Sequence, residues 1–543
     1  MTASAGRNSQ TPRTRLKLPP LSVWLAAVGL APLAALLFAG LFGSDGGETA
    51  RLAETRLPGM AWASLALGIG TALGVGVLGT GLAWLVAAYR FPGRGFFDWA
   101  LMLPLAVPGY VLAYAYLDLT TAAGPLQAAL RDATGWRFGS YVFPEVQGLG
   151  GAVFIFSLCF YPYVYALART AFAIQGASTL EAARTLGMTH VQAFWRIALP
   201  LARPALIAGC TLAVLEALAD YGAVVHLGVP TFTVGILRAW SAAGEPVAAA
   251  RLAILLVVVC LALLAIERAA RGRGERFVEN RTSRSMNRRP LLAWHGPAAT
   301  ALCLVVLFLA LVLPGLHLAG LAWDAGPARG VGAATLRTLL LAAGSALILC
   351  AIGFGIASAA RRGEASANRI RALLPAGYAT PGAAAALGVL ALAGALQTTL
   401  GTAAASIFVG PVLLLLAYQT RFAAAAFGPI ETALGRTPAS LDHSARVLGC
   451  RQSELKRRVH WPIGRAGIGT AALLVFVEIV KELPATIILR PFDFDTLAVL
   501  AHAYASEERL AQAASPALAI VLLCAPAMVI AARATRSKRA GQL

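Results

Sequence analysis

Two pairs of carboxylates stand out in a chain that has few charged residues. Glu216 and Asp220 are four residues apart, and Glu478 and Glu482 repeat that spacing 262 residues later. Residues four apart share one face of a helix. Both pairs lie in long apolar runs, where an ionisable group is costly and faces a bundle interior or water. Two readings follow. In the first, the four line a polar path or gate, where carboxylate oxygens meet a hard cation transiently. Tyr161, Tyr163 and Tyr165 would add phenol oxygens, and Asp220 and Glu482, nearer the outer end, would touch another protein. In the second, the four are structural: they pair with Arg or with Lys481, or cap broken helices. No stable metal site is expected, because a conduit must release its cargo.

The offset of 262 also relates two polar stretches. Glu181-Ala182-Ala183-Arg184-Thr185-Leu186-Gly187 is followed by Ile197-Ala198-Leu199-Pro200, and His443-Ser444-Ala445-Arg446-Val447-Leu448-Gly449 is followed by Val459-His460-Trp461-Pro462. In the first copy Ser178 or Thr179 would N-cap a short helix, with Glu181 facing its positive end. Gly187 can take the left-handed conformation that ends it. Thr189 would cap a second short helix, Val191 to Ile197, and Pro200 would mark entry to the next apolar run. Ala182 and Ala183 give a small-residue face that another protein can approach. A single copy would equally be an ordinary connection, and repetition at a fixed offset favours an interaction surface.

The elements that must hold these residues are membrane helices. Of 543 residues, 58% are hydrophobic and 13% charged, with mean hydropathy +0.71, where soluble domains carry about 25% charged residues. Apolar runs fall near Leu21–Phe42, Met60–Ala88, Trp99–Leu117, Leu149–Ala168, Leu201–Tyr221 and Ala248–Ile266. A second set follows near Leu291–Leu318, Thr335–Ala359, Ala372–Leu396, Ala403–Tyr418, Ile468–Ile488 and Ala513–Ala532. Backbone groups in hydrocarbon must be satisfied internally, so the fold class is all-α, about twelve transmembrane helices in two homologous six-helix halves. Residues 21–266 and 291–533 form the halves, residues 1–20 and 534–543 the tails, and residues 267–290 a linker with eight arginines. That linker reads as solvated, with contact to anionic lipid as the alternative. Leu21–Phe42 is long enough to span and reads as a helix rather than a signal peptide.

The net charge of +20 follows the positive-inside rule, with Arg90, Arg94, Arg184, Arg196, the linker, Arg361 to Arg371, Arg436 to Arg465 and both tails on one side. That side is the cytoplasm, and nucleic acid is not an expected partner. Arg51, Arg56, Arg131 and Arg137 on the other side weaken the bias. Pro104, Pro108, Gly109, Pro162, Pro381 and Gly382 fall inside runs and would bend or break helices. Of the seven cysteines, six lie in apolar runs and Cys450 in a loop. None forms a Cys-x-x-Cys pair, so they read as packing residues.

Glu-Ala-Ala, three residues, Gly, nine residues and Ile-x-Leu-Pro resemble the signature loop of permease subunits of bacterial ABC importers. Two such halves in one chain, with Leu215 to Gly222, Thr231 to Ile236, Lys481 to Thr486 and Leu489 to Phe492, resemble the fused iron(III) importer permeases in the family of binding-protein-dependent inner-membrane components. The resemblance implies a type I importer permease fold and a bacterial inner membrane location with both termini cytoplasmic. It implies two copies of an ATPase subunit, which carry ATP and Mg, and a periplasmic binding protein. Glu181, Ala182, Ala183 and Gly187 would form one ATPase-coupling loop, and His443, Ser444, Ala445 and Gly449 the other. His443 stands where the family has Glu, and Asp442 would substitute in part. The chain binds no cofactor in this reading and is not an enzyme. Its four lysines, Lys17, Lys456, Lys481 and Lys538, never follow Gly, so it has no Gly-Lys-Ser/Thr phosphate loop and draws energy from a partner. The same mechanism with thiamine, polyamine, phosphonate or sulfate as cargo is an alternative. An ion-coupled secondary transporter would share the repeats and buried carboxylates but not the paired loops.

Overall fold

A computed structural model describes residues 21–144, 146–185, 187–271, 288–291, 293–400, 410–438 and 440–540. Among these, eleven helices are long and apolar enough to cross a membrane, and a bent pair makes a twelfth. Leu21–Phe42 has the expected bounds, and the second span runs Leu57–Ala88. The third is broken at Val107 and Pro108, with an 88° bend between Arg94–Ala106 and the segment that begins at Gly109. A matching break separates Ala365–Tyr378 from Gly382–Leu400, at Pro381. The tenth span is Pro411–Gly435, well beyond the expected Ala403–Tyr418, of which residues 403–409 lie outside the described part.

The duplication is visible in the geometry. Leu199–Ala219 and Trp461–Lys481 are 262 residues apart at both ends. Each is preceded by a π-helical turn, Phe194–Ala198 and Leu455–His460. Pro200 and Pro462 follow these turns, and a proline has no N–H and clashes with the carbonyl four residues back. A widened turn removes the clash while the helix continues. Phe308–Val312 forms the same turn ahead of Pro314.

The two halves hold each other by exchanging their first helices. Leu21–Phe42 packs on Gly382–Leu400, Pro411–Gly435 and Val331–Arg361 of the second half. The Thr420 hydroxyl donates to the Gly29 carbonyl at 2.6 Å, and Gln419 donates to the Leu25 carbonyl. Reciprocally, the span His295–Ala325 packs on Gly109–Thr120. There the Tyr116 hydroxyl donates to the Leu309 carbonyl at 2.8 Å and His317 contacts Asp118 at 2.6 Å. The linker's start is helical to Arg271, residues 272–287 lie outside the described part, and its end pairs as a short parallel strand, Arg289–Pro290, with Tyr89–Arg90.

Candidate functional site

The helix Leu199–Ala219 stops at Asp220, whose backbone turns extended. The Asp220 carboxylate accepts the Ala223 N–H at 2.7 Å and so caps the short helix Gly222–His226. Glu482 does the same 262 residues on: Trp461–Lys481 ends there, and Oε1 accepts the Ala485 N–H at 2.9 Å at the start of Pro484–Leu489. A second helix start approaches each carboxylate. A Cβ on Gly109 would lie 2.9 Å from Asp220 Oδ2, and one on Gly382 would collide with Glu482 Oε1. Glycine permits this approach, and two helix N-termini favour a negative group at each position.

One turn back lie Glu216 and Glu478. Glu216 accepts from the Tyr378 hydroxyl at 3.2 Å and from Arg421 at 3.1 Å, and Arg421 also donates to Glu482. Lys481 pairs with Glu478 at 3.2 Å and reaches the Leu105 carbonyl at 3.4 Å. Glu216, Asp220, Glu478, Glu482, Arg421 and Lys481 line one cavity of about 50 Å³ between the halves, with Tyr110 and Tyr221 beside them. That volume holds a few waters. Four carboxyl groups face two cationic ones.

Both expected readings of the carboxylates therefore meet in one place, because the residues that pair and cap also line a cavity. Glu482 differs from expectation in one respect. It is 4% exposed, which leaves no surface for another protein. The tyrosines also differ. Tyr161 is fully buried away from this cavity, and Tyr165 donates to the Asp98 carbonyl at 3.1 Å. Tyr163 alone of the three lies within electrostatic reach of Glu216 and Glu478.

At the other end of these helices are the two loops. The first is not a separate helix capped at Ser178 or Thr179. The span runs on unbroken from Gly148 to Thr185, carrying Glu181, Ala182 and Ala183 in its last turns. Their side chains lie outside the described part, as does Leu186. Gly187 then takes φ +81° and Thr189 caps His190–Ala193, with Gln192 N–H donating to its hydroxyl at 3.3 Å and its own N–H donating to Gln192 Oε1 at 3.0 Å. The expected second helix is this short turn merged through the π-turn into the next span.

The second loop does restart as a helix, Ser440–Val447, and Gly449 also takes φ +81°. His443, Ser444 and Gly449 are exposed and Ala445 half-buried. Asp442 is not available to another subunit. It is 4% exposed, gripped by the Arg361 guanidinium at 2.9 and 3.2 Å and contacted by His460 at 3.1 Å. Burial alone would raise its pKa, but the Arg361 and His460 hydrogen bonds outweigh that and hold it below the ordinary aspartate value.

Residues 76–273 match the family of binding-protein-dependent transport system inner membrane components. Across 82% of the chain and 84% of the relative, the sequence is 24% identical to the Fe(3+)-transport system permease protein FbpB 2 of Haemophilus influenzae. The family's model thus covers part of the first half of the chain, and the longer alignment extends the likeness across both halves. Shorter alignments reach other members. The sulfate transport system permease protein of Salmonella typhimurium is 33% identical over 28% of the chain and 52% of its own length. The molybdenum transport system permease protein of Escherichia coli is 32% identical over 26% of the chain and 59% of its own length. The protein is thus a multi-pass membrane protein similar to permeases of an inner-membrane, binding-protein-dependent transport family.

Three features of this permease escaped the sequence reading: Arg421, Tyr378 and the Arg361–Asp442–His460 cluster. Arg421 was hidden by a boundary, because the expected tenth span ended at Tyr418 and left it outside. A lone arginine ten residues into Pro411–Gly435 is the signal that would have found it.

Proposed function

We propose that this permease forms the translocation pathway for ferric iron, delivered by a periplasmic binding protein and driven by separate ATPase subunits. The observation that carries this reading is the cavity at the junction of the halves, where four carboxyl groups face only Arg421 and Lys481. Such a lining attracts a hard, highly charged cation and repels an oxyanion. The long alignment with an Fe(3+)-transport permease agrees with it. Glu181, Ala182, Ala183, Gly187 and His443, Ser444, Ala445, Gly449 are the proposed coupling elements on the cytoplasmic side, where ATPase closure would move the two loops together. Glu216 and Glu478 are the proposed pathway carboxylates, while Asp220 and Glu482 end the spans and shape the cavity.

The test is uptake into liposomes bearing the permease with its ATPase, given ATP inside and loaded binding protein outside. Ferric iron is expected to accumulate, and Glu478→Gln is expected to lower the rate by about tenfold. Sulfate or molybdate uptake with no ferric uptake would replace the cation reading by the oxyanion reading that the shorter alignments suggest.

A further inference from the structure

We infer that Arg421 is a tethered counter-ion that occupies the cation position between the halves and sets the charge a cargo needs to pass. This rests on the reading of the cavity as the pathway. Arg421 lies near the middle of Pro411–Gly435 and is 7% exposed. Its guanidinium donates to Glu216 of the first half at 3.1 Å and to Glu482 of the second. A Cβ on Gly382 would come within 3.1 Å of its Nη1, so the broken helix is built around this head group. The position 262 residues earlier is Cys159, whose thiol donates to the Val107 carbonyl at 3.2 Å. The duplication therefore made one such cation, not two, and placed it where it ties opposite halves together.

Arginine keeps its proton even when buried, so the position always holds one positive charge. A sodium or potassium ion that replaced it would bring the same charge without the two donated hydrogen bonds, and gains nothing. A trivalent ion brings three charges to the same two carboxylates, and Coulomb attraction scales with charge. The paired guanidinium also lies over the Phe422 ring, 5.1 Å from its centroid, a neighbouring face that can take it when it leaves the carboxylates. Exchange also releases Pro411–Gly435, which carries Arg421, from both carboxylates, so arrival of cargo frees this helix.

The test uses the assembled permease and ATPase in liposomes without ATP, with passive entry of sodium, manganese(II) and sulfate measured separately. Arg421→Gln is expected to admit sodium and manganese(II) about tenfold faster than the unaltered protein, with sulfate entry unchanged. Arg421→Lys, which keeps the charge but loses the fork, is expected to leak less. Should Arg421→Gln fail to assemble, Arg421→Gln with Glu482→Gln removes one of the two orphaned carboxylates and is expected to admit sodium faster than Glu482→Gln alone. Liposomes that stay tight to both cations, or leak sulfate equally, overturn the proposal. Glu478→Gln separates the two levels. If it lowers ATP-driven ferric uptake while the Arg421 variants stay tight, the pathway stands and the counter-ion role fails. If it leaves ferric uptake unchanged, both fail.

Discussion

The two loops descend from one pattern and are held in different ways. The first is the end of a long rod: Gly148–Thr185 leaves the apolar region without a break. The second is a separate helix, Ser440–Val447, set off from Pro411–Gly435 by a turn through Arg436, Thr437 and Pro438. A free-standing helix of eight residues is not stable by itself. The permease holds it with Arg361, which binds Asp442 through both branches of its fork and donates to the carbonyls of Leu434, Thr437 and Pro438. That guanidinium caps one helix and anchors the next. In the first half, Leu180 and Ala198 stand 262 residues before Asp442 and His460, and Ala88 ends the span equivalent to the one that Arg361 ends. The cluster is thus a property of one half. It teaches that a duplicated surface can keep its glycine hinge and its capping turn while replacing the means of attachment.

The largest expected effect comes from removing that attachment. Asp442→Ala would leave Arg361 without its carboxylate in a setting where both are nearly covered, with side chains 10% and 5% exposed. Breaking one partner from a buried pair costs about 3–5 kcal/mol. Amide exchange over Ser440–Val447 should speed up by about a hundredfold, with exchange over Thr189–Ala193 unchanged. Equal changes in both loops, or none in either, would break the comparison.

The shared features were legible in the sequence and the unshared one was not. Periodicity and hydropathy reveal helices long enough to span, and a fixed offset reveals duplication, because both are one-dimensional signals. Leu21–Phe42 was bounded at both ends on that basis, and the break near Pro381 was expected from proline's missing N–H. The family resemblance rested on the spacing of Ala, Arg, Leu, Gly and Pro, which the comparisons bear out. By sequence alone Asp442 is a candidate for contact with a partner because it neighbours His443. Nothing local says that Arg361, 81 residues away, has already taken it. The partners of Arg421 are equally non-local, since Glu216 and Glu482 come from helices 205 and 61 residues distant. Exchange of the first helices is equally invisible, because either half offers Leu21–Phe42 an apolar surface.

A smaller effect is expected at the two hinges, where the halves agree. Gly187 and Gly449 share φ +81°, and a Cβ at either would meet nothing within 4 Å. The cost of a side chain there is purely conformational, about 1–2 kcal/mol for most residues and less for asparagine. Gly187→Val and Gly449→Val should therefore destabilise their turns alike, with Gly187→Asn and Gly449→Asn milder. Retention of the ATPase subunit on the purified permease should fall more for Gly187→Val, because Arg361 still anchors the second loop. Full retention in both valine variants would remove the loops from the coupling role.

The smallest effect over ordinary conditions concerns pH, and its sign is fixed by Asp442. Its pKa lies below the model-peptide value of 3.8, the Arg361 and His460 hydrogen bonds outweighing burial. A carboxyl whose folded value is depressed adds stability that is complete above its unfolded value and is lost as pH falls through the folded value. Arg361 remains charged throughout. Through the charge of Asp442 itself, the anchoring pair should therefore be constant above about 5 and weaken only below 3.8, with Ser440–Val447 exchanging faster there once intrinsic exchange rates are corrected. In Asp442→Asn, which cannot ionise, that acid-dependent step should vanish while a fraction of the contact to Arg361 survives through the amide oxygen. A step that persists in Asp442→Asn would assign the acid sensitivity to another group and leave Asp442 with no part in it.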